Sequence, residues 1–349
     1  MIDGAYTYLI DQLRQTPGPA LWFAEEGCGD YLPMLATFKD TLRLYSARLD
    51  IINAARALSI TSEINDARWP VDIKTREIKA CFIRIAKEKP WVHHLINQAR
   101  QHLPPGSRLY LAGHKQEGIK TYAEKAAALF NSQQKAQKNG DFYQIELTQT
   151  ADPIGILLPC EDYPELRAVF NLREKPVLSK PGIYGWDKID QGSELLVAVV
   201  ANESLSTINN CLDLGCGYGY LTLATGQLNW GLRTCTDNNS AALDACAHNC
   251  AQFAINAHCV LADCGEGLQE QFDLILCNPP FHQGFNVENQ LTQRFLAAAA
   301  KRLTPKGAAY FVVNHFIPLE RKASDYFKLC ELKASNGRFK VLRLAQPKY

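Results

Sequence analysis

From about residue 190 onward the chain alternates short apolar runs with longer amphipathic stretches, and this alternation limits the fold more than any other feature. The runs are Asn210–Leu214, Leu232–Thr236, His258–Leu261, Phe272–Cys277, Ala308–Val313 and Phe339–Leu344. Helical patterns lie around and between them, at Gly192–Val200, Ser240–Phe253, Glu288–Arg302 and Leu319–Phe327. Strands separated by helices pair mostly in parallel, because parallel neighbours need a crossover and the crossover helices cover both faces of the sheet. Ligands of such sheets sit at the carboxyl ends of the strands. The first half repeats the theme less clearly. It has strand-like runs at Ala20–Ala24, Ala80–Ile85, Arg108–Ala112 and Tyr143–Leu147, a helical pattern at Lys120–Phe130 and a polar loop at Gln133–Gly140. Prolines at 153, 159, 164, 176 and 181 punctuate the middle of the chain. Two α/β domains are therefore expected, 1–165 and 166–349.

Each half is long enough to bury its own core. An apolar content of 47% and a charged content of 21% belong to a globular chain rather than a disordered one. No run approaches the ~20 apolar residues needed to span a bilayer, and the first residues lack the basic and apolar parts of a secretory signal. A cytoplasmic protein with no membrane partner is expected. Twelve cysteines are many, and eight lie between Cys211 and Cys277. Cys246, Cys250, His258 and Cys259 lack zinc-like spacing, so reduced, buried thiols are expected and no metal. Net charge is +1, yet from Lys301 to the end eleven Lys/Arg face three Asp/Glu. Such a tail favours a polyanionic partner.

Two motifs close two of the strands. The first is Asp213-Leu214-Gly215-Cys216-Gly217-Tyr218-Gly219. Glycines there let the backbone turn sharply and approach a ligand without Cβ collisions. The spacing is G-x-G-x-G, not the G-x-G-x-x-G of a dinucleotide site, so no pyrophosphate is required. An acidic residue ahead of the loop suits a cationic, amine-bearing ligand such as the methionine end of S-adenosylmethionine. Asp237, with Asn238 beside it, ends the next strand and is placed to accept from both ribose hydroxyls. Asp263 and Cys264 end the third and are placed to bond an adenine amino group.

The second motif is Asn278-Pro279-Pro280-Phe281. An exocyclic amine on a base is a poor nucleophile, because its lone pair is delocalised into the ring. Two acceptors on its N–H groups turn that lone pair out. The Asn278 side-chain carbonyl and the Pro279 backbone carbonyl are such acceptors, and Pro280 stiffens the second. Phe281 offers a stacking face. His282 is read as lining the pocket rather than as a base. Together the two motifs indicate methyl transfer to nitrogen.

These residues also carry a resemblance. Asp213–Gly219, Asn278-Pro279-Pro280-Phe281-His282, Gly337-Arg338-Phe339-Lys340-Val341, Pro181-Gly182-Ile183-Tyr184 and Asp190–Leu196 resemble bacterial ribosomal RNA guanine-N2 methyltransferases, nearest the small-subunit (16S rRNA) type. The likeness covers nearly the whole chain and is stronger from about residue 175. It implies two tandem Rossmann-like methyltransferase domains, the C-terminal one catalytic and the N-terminal one degenerate. It also implies S-adenosylmethionine as cofactor and N2 of a guanine in 16S rRNA as acceptor, with ribosomal RNA of the small subunit or its assembly intermediate as partner; a monomer is expected. Phe281 and His282 are then expected at the base, and Arg338 and Lys340, with Lys301-Arg302, at phosphates. In the first half, Glu25-Glu26-Gly27-Cys28-Gly29 mimics the cofactor loop but has Tyr31 for its last glycine. Gly113–Gly118 follows a strand without three glycines, and Lys89-Pro90-Trp91 stands where the asparagine motif is expected, without the asparagine. Three alternatives remain open at this stage: the large-subunit (23S rRNA) guanine-N2 enzyme, a catalytically silent RNA-binding or ribosome-assembly protein, and a hydride-transfer enzyme, which the glycine spacing disfavours.

Overall fold

The structure, a computed structural model, describes residues 3–70, 77–203, 205, 207–280 and 285–348. It divides into two compact units, Met1–Glu165 and Leu166–Tyr349. No helix among the described residues is long and apolar enough to cross a membrane.

The first unit is built on seven strands: β1 (Ala20–Phe23), β2 (Leu42–Ser46), β3 (Thr61–Ile64), β4 (Ala80–Arg84), β5 (Arg108–His114), β6 (Gln137–Asn139) and β7 (Phe142–Thr148). Their order across the sheet is β3-β2-β1-β4-β5-β7-β6. The first five run parallel, and β7 lies antiparallel to both β5 and β6. Helices α1 (Gly4–Arg14), α2 (Leu32–Leu35), α3 (Leu49–Ala57), α4 (Lys89–His102) and α5 (Ile119–Leu129) flank it. Every residue of β1 and β4 is buried, which is why both read as unbroken apolar runs.

The second unit opens with an antiparallel hairpin of β8 (Arg167–Leu172) and β9 (Lys175–Ser179), a pairing the proline-rich sequence did not announce. Its main sheet holds β10 (Asn210–Leu214), β11 (Leu232–Asp237), β12 (Ala257–Leu261), β13 (Phe272–Cys277), β14 (Leu303–Asn314), β15 (Phe327–Ser335) and β16 (Phe339–Pro347). The order β12-β11-β10-β13-β14-β16-β15 repeats the first unit's topology strand for strand. Five strands are again parallel, with an antiparallel pair at the end. The helices are α6 (Gln191–Asn202), α7 (Tyr220–Ala224), α8 (Ser240–Gln252), α9 (Phe285–Arg302) and α10 (Leu319–Ala323). The helix expected over Leu319–Phe327 stops at Ala323, because Phe327 is buried as the first residue of β15.

Alternate residues of the central strands feed two cores. Leu212, Leu214, Ile275 and Cys277 pack on one face with Leu296 and Ala299 of α9, while Cys211, Leu274 and Leu276 pack on the other with Leu196 and Val200 of α6. The order reverses between β10 and β13, and that switch point is where a doubly wound sheet opens a crevice. Asp213 pairs in register with Leu276, so the residues that follow the two strands emerge side by side.

Candidate functional site

The glycine loop leaves β10 and is tied down from the neighbouring strand. The N–H groups of Gly215 and Cys216 both donate to the Thr236 carbonyl, at 2.8 and 2.9 Å. Gly217 and Gly219 have φ of +55° and +94°, a backbone that L side chains seldom adopt. A Cβ on Gly219 would lie 2.8 Å from the Cys246 sulfur, whereas nothing lies within 4 Å of where one on Gly217 would stand. The loop is thus packed tight beneath and open at its tip. A Gly219→Ala variant is expected to lose about 1–2 kcal/mol from the left-handed backbone alone, and more from the sulfur contact. Urea unfolding read by fluorescence checks this, and an unchanged midpoint would show that the loop relaxes freely.

Asp213 lies beneath the loop and is only 1% exposed. Its Oδ2 accepts from the Thr222 backbone N–H at 3.1 Å and from the Thr222 hydroxyl at 2.7 Å, pinning the loop to α7. Oδ1 has no hydrogen-bond partner among the described residues. Burial pushes the carboxyl up to about 6, against the opposing pull of the Thr222 hydrogen bonds. One oxygen of the carboxylate expected to suit a cationic ligand is thus committed to Thr222.

Asp237 also serves the loop. Its Oδ2 accepts from Gly217 N–H and its Oδ1 from Asn239 N–H, both at 2.9 Å. Asn238 stands half-buried beside it. At the third strand end Ala262 N–H donates to the Asp237 carbonyl. Asp263 is buried and forms an ion pair with Arg294 of α9 through its Oδ2. Cys264 follows with φ +47°.

Asn278 emerges beside this loop. Its Nδ2 donates to Asp190 Oδ2 and to Ser193 Oγ, each at 2.8 Å. A carboxylate can only accept, so the amide nitrogen must face Asp190 and the carbonyl oxygen must point the other way. Asp190 is itself the N-cap of α6, accepting from Ser193 N–H at 2.8 Å. Sequence reasoning quoted Asp190 and Ser193 only as part of a likeness and gave them no task. The same segment reaches the second strand end through Asn239, whose side-chain amide donates to the Gly182 carbonyl at 3.1 Å. It also holds the loop: Tyr218 Oη donates to the Lys188 carbonyl at 3.0 Å. Pro279 is buried and Pro280 half-buried. Phe281 and His282 lie outside the described residues.

The basic residues divide. Arg338 is exposed, donates to Gln191 Oε1 at 3.0 Å and lies over the Phe339 ring. Lys340 is 7% exposed with both Glu320 oxygens 2.7 Å from its Nζ, so it is withdrawn from any phosphate. Lys301 and Arg302 end α9 just before β14 begins, at the opposite end of the sheet from Asn278, which corrects their expected place at the substrate. Two aromatic side chains are exposed: Phe316, at 73%, just beyond the carboxyl end of β14, and Tyr184, at 59%.

The first unit differs at the equivalent places. Around its glycine segment, Glu25 accepts from Gly27 N–H at 2.7 Å and from the Tyr6 hydroxyl, and Tyr6 stacks on Tyr31. Strand β4 ends in Arg84, which is paired with Asp3 and Glu117. Lys89-Pro90-Trp91 opens α4 rather than following β4 directly, so it is not the counterpart of Asn278-Pro279-Pro280. Tyr6, Glu25 and Arg84 are thus engaged with one another and with Asp3 and Glu117 around these strand ends.

Comparison with known proteins places the chain. A family model described as methyltransferase small domain matches residues 174–343, and one described as methyltransferase small domain N-terminal matches residues 32–156. The chain is 28% identical over 273 residues to a ribosomal RNA small subunit methyltransferase C of Shewanella loihica, covering 76% of this chain and 77% of that one. It is 25% identical over 285 residues to the protein of that name from Escherichia coli strain SMS-3-5, covering 80% of each. Among solved structures, a T. thermophilus 16S rRNA N2 methyltransferase (RsmC) in complex with AdoMet and guanosine matches with a TM-score of 0.79 at 22% identity, over 99% of this chain and 92% of that one. That likeness establishes the fold, two α/β domains in tandem.

Proposed function

Because this chain belongs to the methyltransferase small domain family in both its N-terminal and its C-terminal parts, we propose that it is the S-adenosylmethionine-dependent enzyme that methylates the exocyclic N2 amino group of a guanine in 16S rRNA. The observation that carries the reading is the Asn278 amide, whose nitrogen is taken by Asp190 and Ser193 and whose oxygen is left to accept.

Two features fit the cofactor: the buried Asp213 Oδ1, without a partner among the described residues, and the open space over Gly217. Gly215, Cys216, Gly217 and Gly219 would cradle it, with Asp237, Asn238, Asp263 and Cys264 along the neighbouring strand ends. When bound, S-adenosylmethionine supplies a methyl group already activated on a sulfonium. The chain's own residues then have to align and neutralise. Asn278 Oδ1 and the Pro279 carbonyl accept from the two N–H groups of the amine, which turns its lone pair outward and disperses charge as it becomes positive. A guanine N2 inside a duplex cannot reach such a pocket, so the base must be extruded or already unpaired. Phe316 and Tyr184 offer stacking faces to RNA, and Arg338 offers a guanidinium to phosphate.

We read Met1–Glu165 as a degenerate methyltransferase domain that positions RNA without binding cofactor, because Glu25 bonds Tyr6 and Arg84 pairs with Asp3 around the equivalent strand ends. Leu166–Tyr349 carries the chemistry. On the same reading the enzyme works as a monomer in the cytoplasm.

The test is methyl transfer from tritiated cofactor to small and large ribosomal subunits purified from cells lacking the gene. Label is expected in 16S rRNA, at N2 of a single guanine. Label confined to 23S rRNA would reverse the assignment, and no label in either would favour a silent RNA-binding role.

A further inference from the structure

Beneath the glycine loop, five cysteines from four segments pack together: Cys216 of the loop itself, Cys235, Cys246, Cys250 and the partly exposed Cys259. Cys246 and Cys250 stand one turn apart on α8, so they share a face. Cys235 on β11 and Cys259 on β12 are partners in the parallel register, so they point to the same side of the sheet. Helix α8 packs on that side. The sulfurs of Cys235, Cys246 and Cys250 all lie within 4.8 Å of one another. Those of Cys246 and Cys250 are 4.0 Å apart, and Cys259 adds a fourth at 4.0 Å from Cys246.

Four sulfurs bound at ~2.3 Å to a tetrahedral ion are separated by about 3.8 Å, so Cys235, Cys246 and Cys250 need only a small contraction, while Cys259, close to Cys246 but outside their mutual set, has to move further in. The first three thiols are buried and Cys259 is partly exposed, which leaves a way in from solvent. A positive group is already at hand. Arg233 is buried, interacts electrostatically with Cys211, Cys235 and Cys250, and has no partner for its Nε among the described residues.

We propose that Cys235, Cys246, Cys250 and Cys259 form a tetrathiolate site for a thiophilic divalent cation of the zinc type, a structural centre under the methyl-donor loop. Binding forms four metal–sulfur bonds and releases four thiol protons, with no change of oxidation state. The closed complex carries two net negative charges, one of which Arg233 offsets. The site reaches the loop at two points. The Cys246 sulfur packs against Gly219, and the Cys235 sulfur lies 3.3 Å from the Thr222 hydroxyl that bonds Asp213. An ion there would stiffen the loop from below.

The experiment is a cobalt titration of the full-length protein, purified under reductant and stripped with chelator. One equivalent of cobalt(II) is expected to give thiolate charge-transfer absorption in the near ultraviolet and the strong red bands of a tetrahedral ion. One equivalent of zinc should bleach both. Cys250→Ser and Cys259→Ala should each weaken zinc binding by at least about tenfold, while Cys330→Ser, outside the cluster, should not. Absence of the tetrahedral spectrum in the wild-type protein would overturn the proposal, whatever the variants do. So would a spectrum that survives both Cys250→Ser and Cys259→Ala, since other thiols would then be the ligands.

Discussion

Replacing Asn278 by alanine is expected to lower the methyl-transfer rate about 10²–10³-fold, the range seen when one preorganised polar group is removed from a reacting centre. Binding of S-adenosylhomocysteine should stay within about twofold, because the proposed contact of the amide is with the amine and not with the loop. The argument rests on direction. Asp190 and Ser193 hold the amide nitrogen at 2.8 Å each, so the oxygen is presented without a search through rotamers. Asp190→Ala should therefore slow transfer as well, by releasing the amide, and Asp190→Asn should restore much of the rate because it still offers an acceptor. Single-turnover transfer to small subunits measures all three. Full turnover by Asn278→Ala would remove the proposed orientation of the amine.

The second large effect concerns Asp213, and it separates stability from binding. A carboxyl held at about 6 in the folded protein and near 4 in the unfolded chain binds more protons when folded between those values. Its contribution to stability therefore falls as pH rises through that window and is constant above it. The size is on the order of 3 kcal/mol, from about two pK units. Asp213→Asn lacks this titration. The stability of the variant relative to wild type should climb by about that amount from pH 4 to pH 7 and then level off. Its affinity for S-adenosylhomocysteine should fall about tenfold to a hundredfold through loss of a charge interaction of about 2 kcal/mol. Chemical denaturation at a series of pH values, with calorimetric titration beside it, reads both. A flat difference curve would mean that the carboxyl is not held up, and undiminished affinity would mean that its charge does not serve the ligand. A buried ionisable group that costs stability at neutral pH is what an active site is expected to contain.

How legible the chain was depended on how local each requirement is. The parallel strands β1, β4, β10 and β13 showed as apolar runs because both of their faces are buried. The glycine loop and Asn278-Pro279-Pro280 were readable because a tight turn and a rigid carbonyl are demands met by contiguous residues. Strands β3, β6 and β15 were not. They are largely exposed edge strands, and their polar residues carry no alternation to read.

Tertiary structure decided the pairings. Lys340 counted as a free cation until Glu320 met it, and Asp263 gained Arg294 as its partner. Asn278 gained its direction from Asp190, 88 positions away. The cysteines became neighbours only when α8 folded over β11 and β12. By itself the sequence determined where the backbone turns and which chemical groups stand at strand ends, because those follow from steric limits on neighbouring residues. Which partner each group would face depended on contacts between distant segments, and no periodicity along a chain encodes those.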